Sequence, residues 1–181
     1  MKGFVEVDDS DVKSSAGQGL PLEEDTLRCF LDLLRTRTGL NFEKDKHVYF
    51  CNRLGRRMSE IGMTEPREYL KLIEADSRGI HGEFQNLIQV LTIGETYLFR
   101  DPRQFSALLY DALPPLVNDV LARGRREVNI WCAGCSTGEE AYSLAVVVQM
   151  HRERLNHGFE GTILGTDINL QTLEEARRGR Y

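Results

Sequence analysis

The 181-residue sequence has no apolar run near the roughly 20 residues needed to cross a bilayer; the longest, Leu144 to Val148, stops at Gln149. No membrane insertion is expected. The opening Met1-Lys2-Gly3-Phe4-Val5-Glu6-Val7-Asp8-Asp9 has neither the continuous apolar core nor the small-residue cleavage site of a secretory signal, so a cytoplasmic location is expected. Cysteine is scarce: four residues, at 29, 51, 132 and 135, are too few and too unevenly spread for a disulfide framework, and reduced thiols are expected. The four histidines, at 47, 81, 151 and 157, form no ligand spacing, and each is expected on the solvated surface. Positive charge is not in excess either. With 23 Lys+Arg against 28 Asp+Glu the net charge is −5, which argues against a general nucleic-acid binder and leaves room only for a local basic face. What is present, 41% hydrophobic and 28% charged residues, is enough to bury a core in one or two domains.

The chain changes style three times. Residues 1–20 show no sustained periodicity and read as a tail. From Pro21, Leu27, Phe30, Leu31 and Leu34 recur at the spacing of one helical face, with Gly39 as a stop signal. A second helix is expected from about Lys46 to Ile61, a third with Pro66 in its first turn, and a fourth carrying Phe84, Leu87, Ile88 and Leu91. Residues 21–91 therefore read as a small all-helical unit, and 92–123 as a linker with a packing helix, punctuated by Gly94, Pro102, Pro114 and Pro115. Over 124–181 the order is strand (Val128 to Cys132, read as buried), helix (Glu139 to about Arg154), strand (Thr162 to Thr166) and helix (Leu170 to Arg178), with Asn156-His157-Gly158 breaking the first of these helices. That alternation means an α/β fold with a parallel sheet. Two parallel strands cannot cover both faces of a sheet, so this part reads as an incomplete domain.

The segment Ile130-Trp131-Cys132-Ala133-Gly134-Cys135-Ser136-Thr137-Gly138-Glu139-Glu140 has the strand, tight turn and helix start of a nucleotide-cofactor loop. Asp167, at the carboxyl end of the next strand, is placed to accept hydrogen bonds from ribose hydroxyls. Both features suit NAD and S-adenosylmethionine. Charge separates the two: Glu139 and Glu140 in the first helical turn would repel a pyrophosphate, yet they would welcome an ammonium and a sulfonium. The alternative is that these glutamates merely complement the helix dipole. Cys132 and Cys135 form a C-x-x-C, but zinc would need a second suitably spaced pair and a redox motif would occupy the helix start, so both are expected to be small packing residues with no metal. On the second helix, Cys51, Leu54, Met58 and Ile61 fall on one side, while Lys46, Arg53, Arg56 and Arg57 fall on the other, as a solvated face or as a surface for an acidic partner.

The combination of Thr92-Ile93-Gly94-Glu95-Thr96-Tyr97-Leu98-Phe99-Arg100-Asp101, the glycine loop continuing through Ala141-Tyr142-Ser143-Leu144-Ala145, and Gly165-Thr166-Asp167-Ile168 resembles the CheR-type chemotaxis receptor methyltransferases. The resemblance covers the chain from about Leu22 to Tyr181. It implies a small all-α N-terminal domain followed by the start of a Rossmann-like methyltransferase domain with a truncated parallel sheet. It also implies a protein-glutamate O-methyltransferase that uses S-adenosylmethionine, releases S-adenosylhomocysteine and acts on the cytoplasmic helices of bacterial chemoreceptors or a related signalling protein. Carried over by position, Thr96 and Arg100 border the cofactor and the reacting groups, beside Gly94, where many members have asparagine. Ala133, Gly134 and one of Glu139 and Glu140 hold the methionine end, and Asp167 holds the ribose.

Arg100 is the expected catalytic residue, orienting a carboxylate; a surface pair of Arg100 with Asp101 is the alternative. The helix matching Lys46 to Ile61 is implicated in receptor recognition in that family. Its members continue past the point matching Tyr181, so the 181 residues are expected to be a fragment or a shortened gene product, weak or inactive alone. A non-catalytic fragment that docks on a signalling partner is the competing reading, and a nicotinamide dehydrogenase comes third.

Overall fold

The computed structural model describes Leu20 and residues 22–92, 94–155 and 158–181. The tail read over 1–20 therefore lies outside the described residues except for Leu20, as do Pro21, Ile93 and the helix-breaking Asn156-His157. Helix α1 (Glu24–Thr38) buries Thr26, Phe30 and Leu34, and Gly39 ends it with φ +77°, its N–H donating to the Arg35 carbonyl. A Cβ disfavours that left-handed conformation, which is why a glycine serves as the stop. Helix α2 (His47–Glu60) buries Phe50, Leu54 and Met58, and α3 (Pro66–Glu74) starts on Pro66 and buries Tyr69 and Ile73. Phe30 lies 6.2 Å from Phe50 and 6.3 Å from Tyr69, ring centre to ring centre, so one aromatic cluster joins the three helices. Each such buried side chain contributes roughly 1.5–3 kcal/mol. The carbonyl end of α3 is capped by Arg37, which donates to the Ile73 and Glu74 carbonyls at 3.0 and 2.9 Å.

Contacts divide the chain into two compact units, the first ending at Asp76 and the second starting at Ser77. The second contains α4 (Glu83–Leu91), α5 (Pro102–Ala107), α6 (Leu113–Ala122), β1 (Glu127–Ala133), α7 (Glu139–Leu155), β2 (Glu160–Thr166) and α8 (Leu170–Arg178). Between α5 and α6 the helix widens into one π turn, Leu108–Ala112, in which the Leu113 N–H reaches back to the Leu108 carbonyl. Pro114 and Pro115 have no N–H to give to the preceding turn, which accounts for the widening and lets the helical path continue through both prolines.

Strands β1 and β2 pair in parallel, with Glu127 opposite Glu160 and Ala133 opposite Thr166. Val128, Phe159, Val147 and Val148 form the core on one side of this sheet together with Leu109, Leu113 and Val117. Two sequence expectations fail against this core. The first strand is not buried throughout: it alternates, and Trp131, 69% exposed, stands with its register partner Leu164 on the open face. Nor is His151 a surface residue. It is 2% exposed, its ring 6.0 Å from that of Phe159, because its position on α7 faces the sheet. His81 is exposed and His47 half-buried.

Gly161 lets α7 approach β2. A Cβ there would stand 2.5 Å from Val148 Cγ1, whereas at Gly158 it would meet the Arg126 guanidinium at 3.0 Å. Gly161→Ala is therefore expected to cost the second unit about 1–3 kcal/mol, since either the helix or the strand must give. Gly158→Ala meets only a flexible side chain and should cost less than about 0.5 kcal/mol. Urea unfolding followed by the fluorescence of Trp131, the chain's single tryptophan, measures both; equal effects would contradict this packing.

Candidate functional site

The turn after β1 has little means of holding itself. Gly134, Ser136 and Gly138 have φ of +80°, +48° and +101°, and while Gly138 N–H donates back to the Cys135 carbonyl at 2.8 Å, the N–H groups of Gly134, Cys135 and Ser136 bond outward. The Thr166 carbonyl accepts from the N–H groups of Gly134 and Cys135, at 2.7 and 2.9 Å. The Asp167 carboxylate accepts from Ser136 N–H through one oxygen and from Asn169 N–H through the other, both at 2.8 Å. The carboxyl end of β2 thereby fixes the turn. Gly138 closes it: a Cβ there would run into the Tyr181 hydroxyl and stand 2.9 Å from the Ala176 Cβ of α8. Asn169 in turn caps α8, accepting from the N–H groups of Gln171 and Thr172, and donates to the Thr92 hydroxyl at 2.9 Å.

The segment 94–101 comes to the same place. Ser136 Oγ donates to the Gly94 carbonyl at 3.0 Å, and a side chain at Gly94 would press on Ser136 Oγ and Thr172 Cγ2. Arg100 donates to the Glu95 carbonyl at 2.7 Å, with its guanidinium 5.9 Å from the centre of the Tyr97 ring. No pair with Asp101 forms; that carboxylate caps α5 by accepting from Arg103 N–H. Between the segment and the glycine turn lies a crevice of about 730 Å³. Its walls are Glu95, Thr96, Tyr97, Arg100 and Asp101, then Gln104, Phe105 and Leu108, and opposite them Gly134, Ser136, Glu140, Leu144 and Asp167. Four of these are carboxylates, set against the guanidinium of Arg100.

Of the site residues expected from sequence, Thr96, Arg100, Gly134, Glu140 and Asp167 share this crevice. Gly94 contributes its carbonyl to the turn instead, and Ala133 ends β1. Glu139 folds back, its carboxylate accepting from the Thr137 hydroxyl at 2.6 Å, so the acidic pair divides its work between loop and crevice. Sequence reading passed over Ser136, Tyr97, Gln104 and Leu144; only their nearness to the two motifs could have signalled them. Cys132 and Cys135 are buried, at 1% and 3% exposure. Burial first, and the neighbouring Glu140 carboxylate next, push the Cys132 thiol up to about 12, and burial likewise raises that of Cys135, so both stay protonated at neutral pH. Among the described residues no group of three or more His, Cys, Asp or Glu is placed to hold a metal ion. No helix of the described residues is long and apolar enough to cross a membrane.

On α2, Lys46 is exposed at the start, and Arg53 lies 5.2 Å from the Tyr49 ring centre. Arg56 and Arg57 both reach Glu60, at 3.0 and 3.2 Å, and hold its carboxyl below the usual carboxylate range. Arg57 departs from the expected solvated face. Its side chain is only 18% exposed, because one turn of helix sets it at the border of the buried stripe.

A strand, a glycine turn, a helix and a parallel second strand followed at once by an acidic residue define a nucleotide-cofactor α/β domain. Comparison with known proteins narrows this class. Residues 25–92 match the CheR methyltransferase all-alpha domain, and residues 94–181 match the CheR methyltransferase SAM binding domain. The chain belongs to the CheR methyltransferase family. It is 31% identical over 160 residues to a chemotaxis protein methyltransferase of Borreliella burgdorferi, covering 88% of this chain and 56% of that protein. It is 32% identical over 162 residues to the chemotaxis protein methyltransferase of Escherichia coli K12, covering 90% and 52%. A putative methyltransferase, Cher3, of Pseudomonas putida is 41% identical over 101 residues, 55% of this chain and 33% of the relative. The chain thus spans about half the length of the curated relatives it matches.

Proposed function

We propose that this chain carries the cofactor-holding part of an S-adenosylmethionine-dependent methyltransferase that esterifies glutamate side chains of chemoreceptor helices in the cytoplasm. The observation that supports it best is the charge and donor balance of the crevice. Glu95, Asp101, Glu140 and Asp167 face a single cavity, which suits a cationic guest without phosphate. The N–H groups of Gly134, Cys135 and Ser136, which could cradle a pyrophosphate, already donate to Thr166 and Asp167. Asp167 retains unused lone pairs toward ribose hydroxyls, since an ionised carboxylate offers about four acceptor sites. Glu140 faces an ammonium or sulfonium, while Thr96 and Arg100 line the opposite wall. When bound, the cofactor supplies a sulfonium-activated methyl, and its transfer to a carboxylate oxygen leaves S-adenosylhomocysteine and a neutral ester.

Little else is asked of side chains. The acceptor carboxyl, with an ordinary pKa near 4.3, is already ionised at neutral pH, so no general base is needed. Arg100 orients that carboxylate by a forked hydrogen bond, and holding the reactants aligned can contribute on the order of 7–11 kcal/mol. Titrating the ¹⁵N-labelled chain tests the cofactor reading. S-adenosylhomocysteine is expected to shift the amides of Gly134, Ser136 and Asp167, with a dissociation constant weaker than micromolar in this chain alone, and NAD is expected to leave them unmoved. Shifts at those amides with NAD and none with S-adenosylhomocysteine would overturn it.

The basic side of α2 supports a second element of the proposal, a docking surface for acidic receptor helices. Lys46, Arg53 and Arg56 outnumber Glu60 along one side, with Arg57 at its border, and such a stripe steers an acidic partner. Arg53→Glu with Arg56→Glu should weaken binding to a soluble chemoreceptor cytoplasmic fragment by at least about tenfold at low salt and flatten its salt dependence. Fluorescence anisotropy measures this; unchanged affinity would leave α2 a merely solvated face.

A further inference from the structure

Ser143 belongs to neither wall of the crevice, and its side chain is completely buried within α7. Its hydroxyl donates to the Glu139 carbonyl one turn back, at 2.6 Å. A serine inside a helix commonly does this without further consequence. Here the same oxygen also accepts from the backbone N–H of Phe99, 44 residues earlier in the chain, at 2.9 Å. Phe99 has φ +55°, the left-handed region that a bulky side chain occupies only where its surroundings hold it. One holding contact is the Phe105 ring, edge-on at 5.2 Å; the other is Ser143.

The consequence falls on the next residue. Because the backbone turns at Phe99, Arg100 folds back so that its guanidinium donates to the Glu95 carbonyl and lies near the Tyr97 ring, at the wall of the crevice. The carbonyl that receives the Ser143 proton belongs to the first turn of α7, where Glu140 forms the facing wall. One hydroxyl therefore ties the Arg100 segment to the helix that follows the glycine turn.

We propose that Ser143 is a positioning residue, which holds Phe99 in its left-handed turn and so sets Arg100 toward the ligand; its functional consequence rests on the cofactor reading above. Removing the hydroxyl leaves the Phe99 N–H without its acceptor and the turn without its reason, so the segment relaxes and Arg100 is no longer presented.

Two measurements on the 181-residue chain test this. The first needs no ligand: in the unaltered chain the Phe99 amide should exchange at least about tenfold slower than in an unstructured peptide. In Ser143→Ala that protection should vanish while the β1 and β2 amides keep theirs. Exchange of the Phe99 amide at the unstructured rate in the unaltered chain, or unchanged protection in Ser143→Ala, overturns the proposal; should the variant not fold, the unaltered chain alone decides. The second is a double-mutant cycle on the dissociation constant of S-adenosylhomocysteine, followed by amide shifts. Arg100→Ala and Ser143→Ala should each weaken binding by at least about fivefold, and the double variant should match Arg100→Ala within about twofold, because Ser143 acts through Arg100. Multiplying effects would overturn the positioning role. Failure of the unaltered chain to bind S-adenosylhomocysteine would instead sink the cofactor reading, and Phe99 exchange would still decide whether the clamp exists.

Discussion

The second unit depends on one carboxylate. Asp167 stands where β2 gives way to α8 and receives two backbone N–H groups, one from the glycine turn at Ser136 and one from its own loop at Asn169. A turn built on Gly134, Ser136 and Gly138 in left-handed conformations makes one internal amide bond, from Gly138 N–H to the Cys135 carbonyl, and leaves the N–H groups of Gly134, Cys135 and Ser136 to find acceptors elsewhere; amides without partners are costly. The end of β2 supplies those partners through Asp167 and the Thr166 carbonyl. Strand pairing, turn and crevice wall are therefore one arrangement: β1 and β2 in register bring the acceptors to the height of the turn, and the turn then places Gly134, Ser136 and Glu140 along the crevice.

That arrangement also decides what the crevice can accept. Loops of this plan often offer bare amides to a phosphate at the start of a helix. Here the amides of Gly134, Cys135 and Ser136 are spent on the end of β2, and the helix start carries Glu139 and Glu140. The two facts act in one direction, since a pyrophosphate would find the amides of Gly134, Cys135 and Ser136 already engaged and the field at the helix start unfavourable. Glu139, tied to the Thr137 hydroxyl, steadies the turn from within, while Glu140 contributes its charge to the cavity and, beside Cys132, helps keep that thiol protonated. A C-x-x-C that resembles a redox or metal motif on paper is thus two packed thiols behind the loop.

Much of this was legible in the sequence, for reasons that can be stated residue by residue. Gly39, Pro66 and the spacing of Phe30 and Leu34 mark the helices because caps and burial periodicity are local signals. The glycine turn and Asp167 were legible because strand, turn and helix each follow from short stretches, and their combination belongs to one fold class. What escaped depends on contacts between distant segments. His151 looks polar on paper, yet its place on α7 faces the sheet and packs it against Phe159. Val128 to Cys132 reads as a buried strand, but alternation turns Trp131 to the open face. Arg57 looks like a member of the solvated stripe, and one turn of helix tucks it to the border. Ser143 could not be singled out at all, because its second partner lies 44 residues away and nothing near it in the chain points there.

The most direct test of this account is amide hydrogen exchange of Asp167→Asn. An asparagine keeps a single acceptor oxygen in place of the two that now serve Ser136 and Asn169. The account predicts that protection of at least one of these two amides falls by about tenfold or more while the amides of α1 and α2 are unaffected. Unaltered protection at both Ser136 and Asn169 would contradict the claim that this carboxylate organises the site.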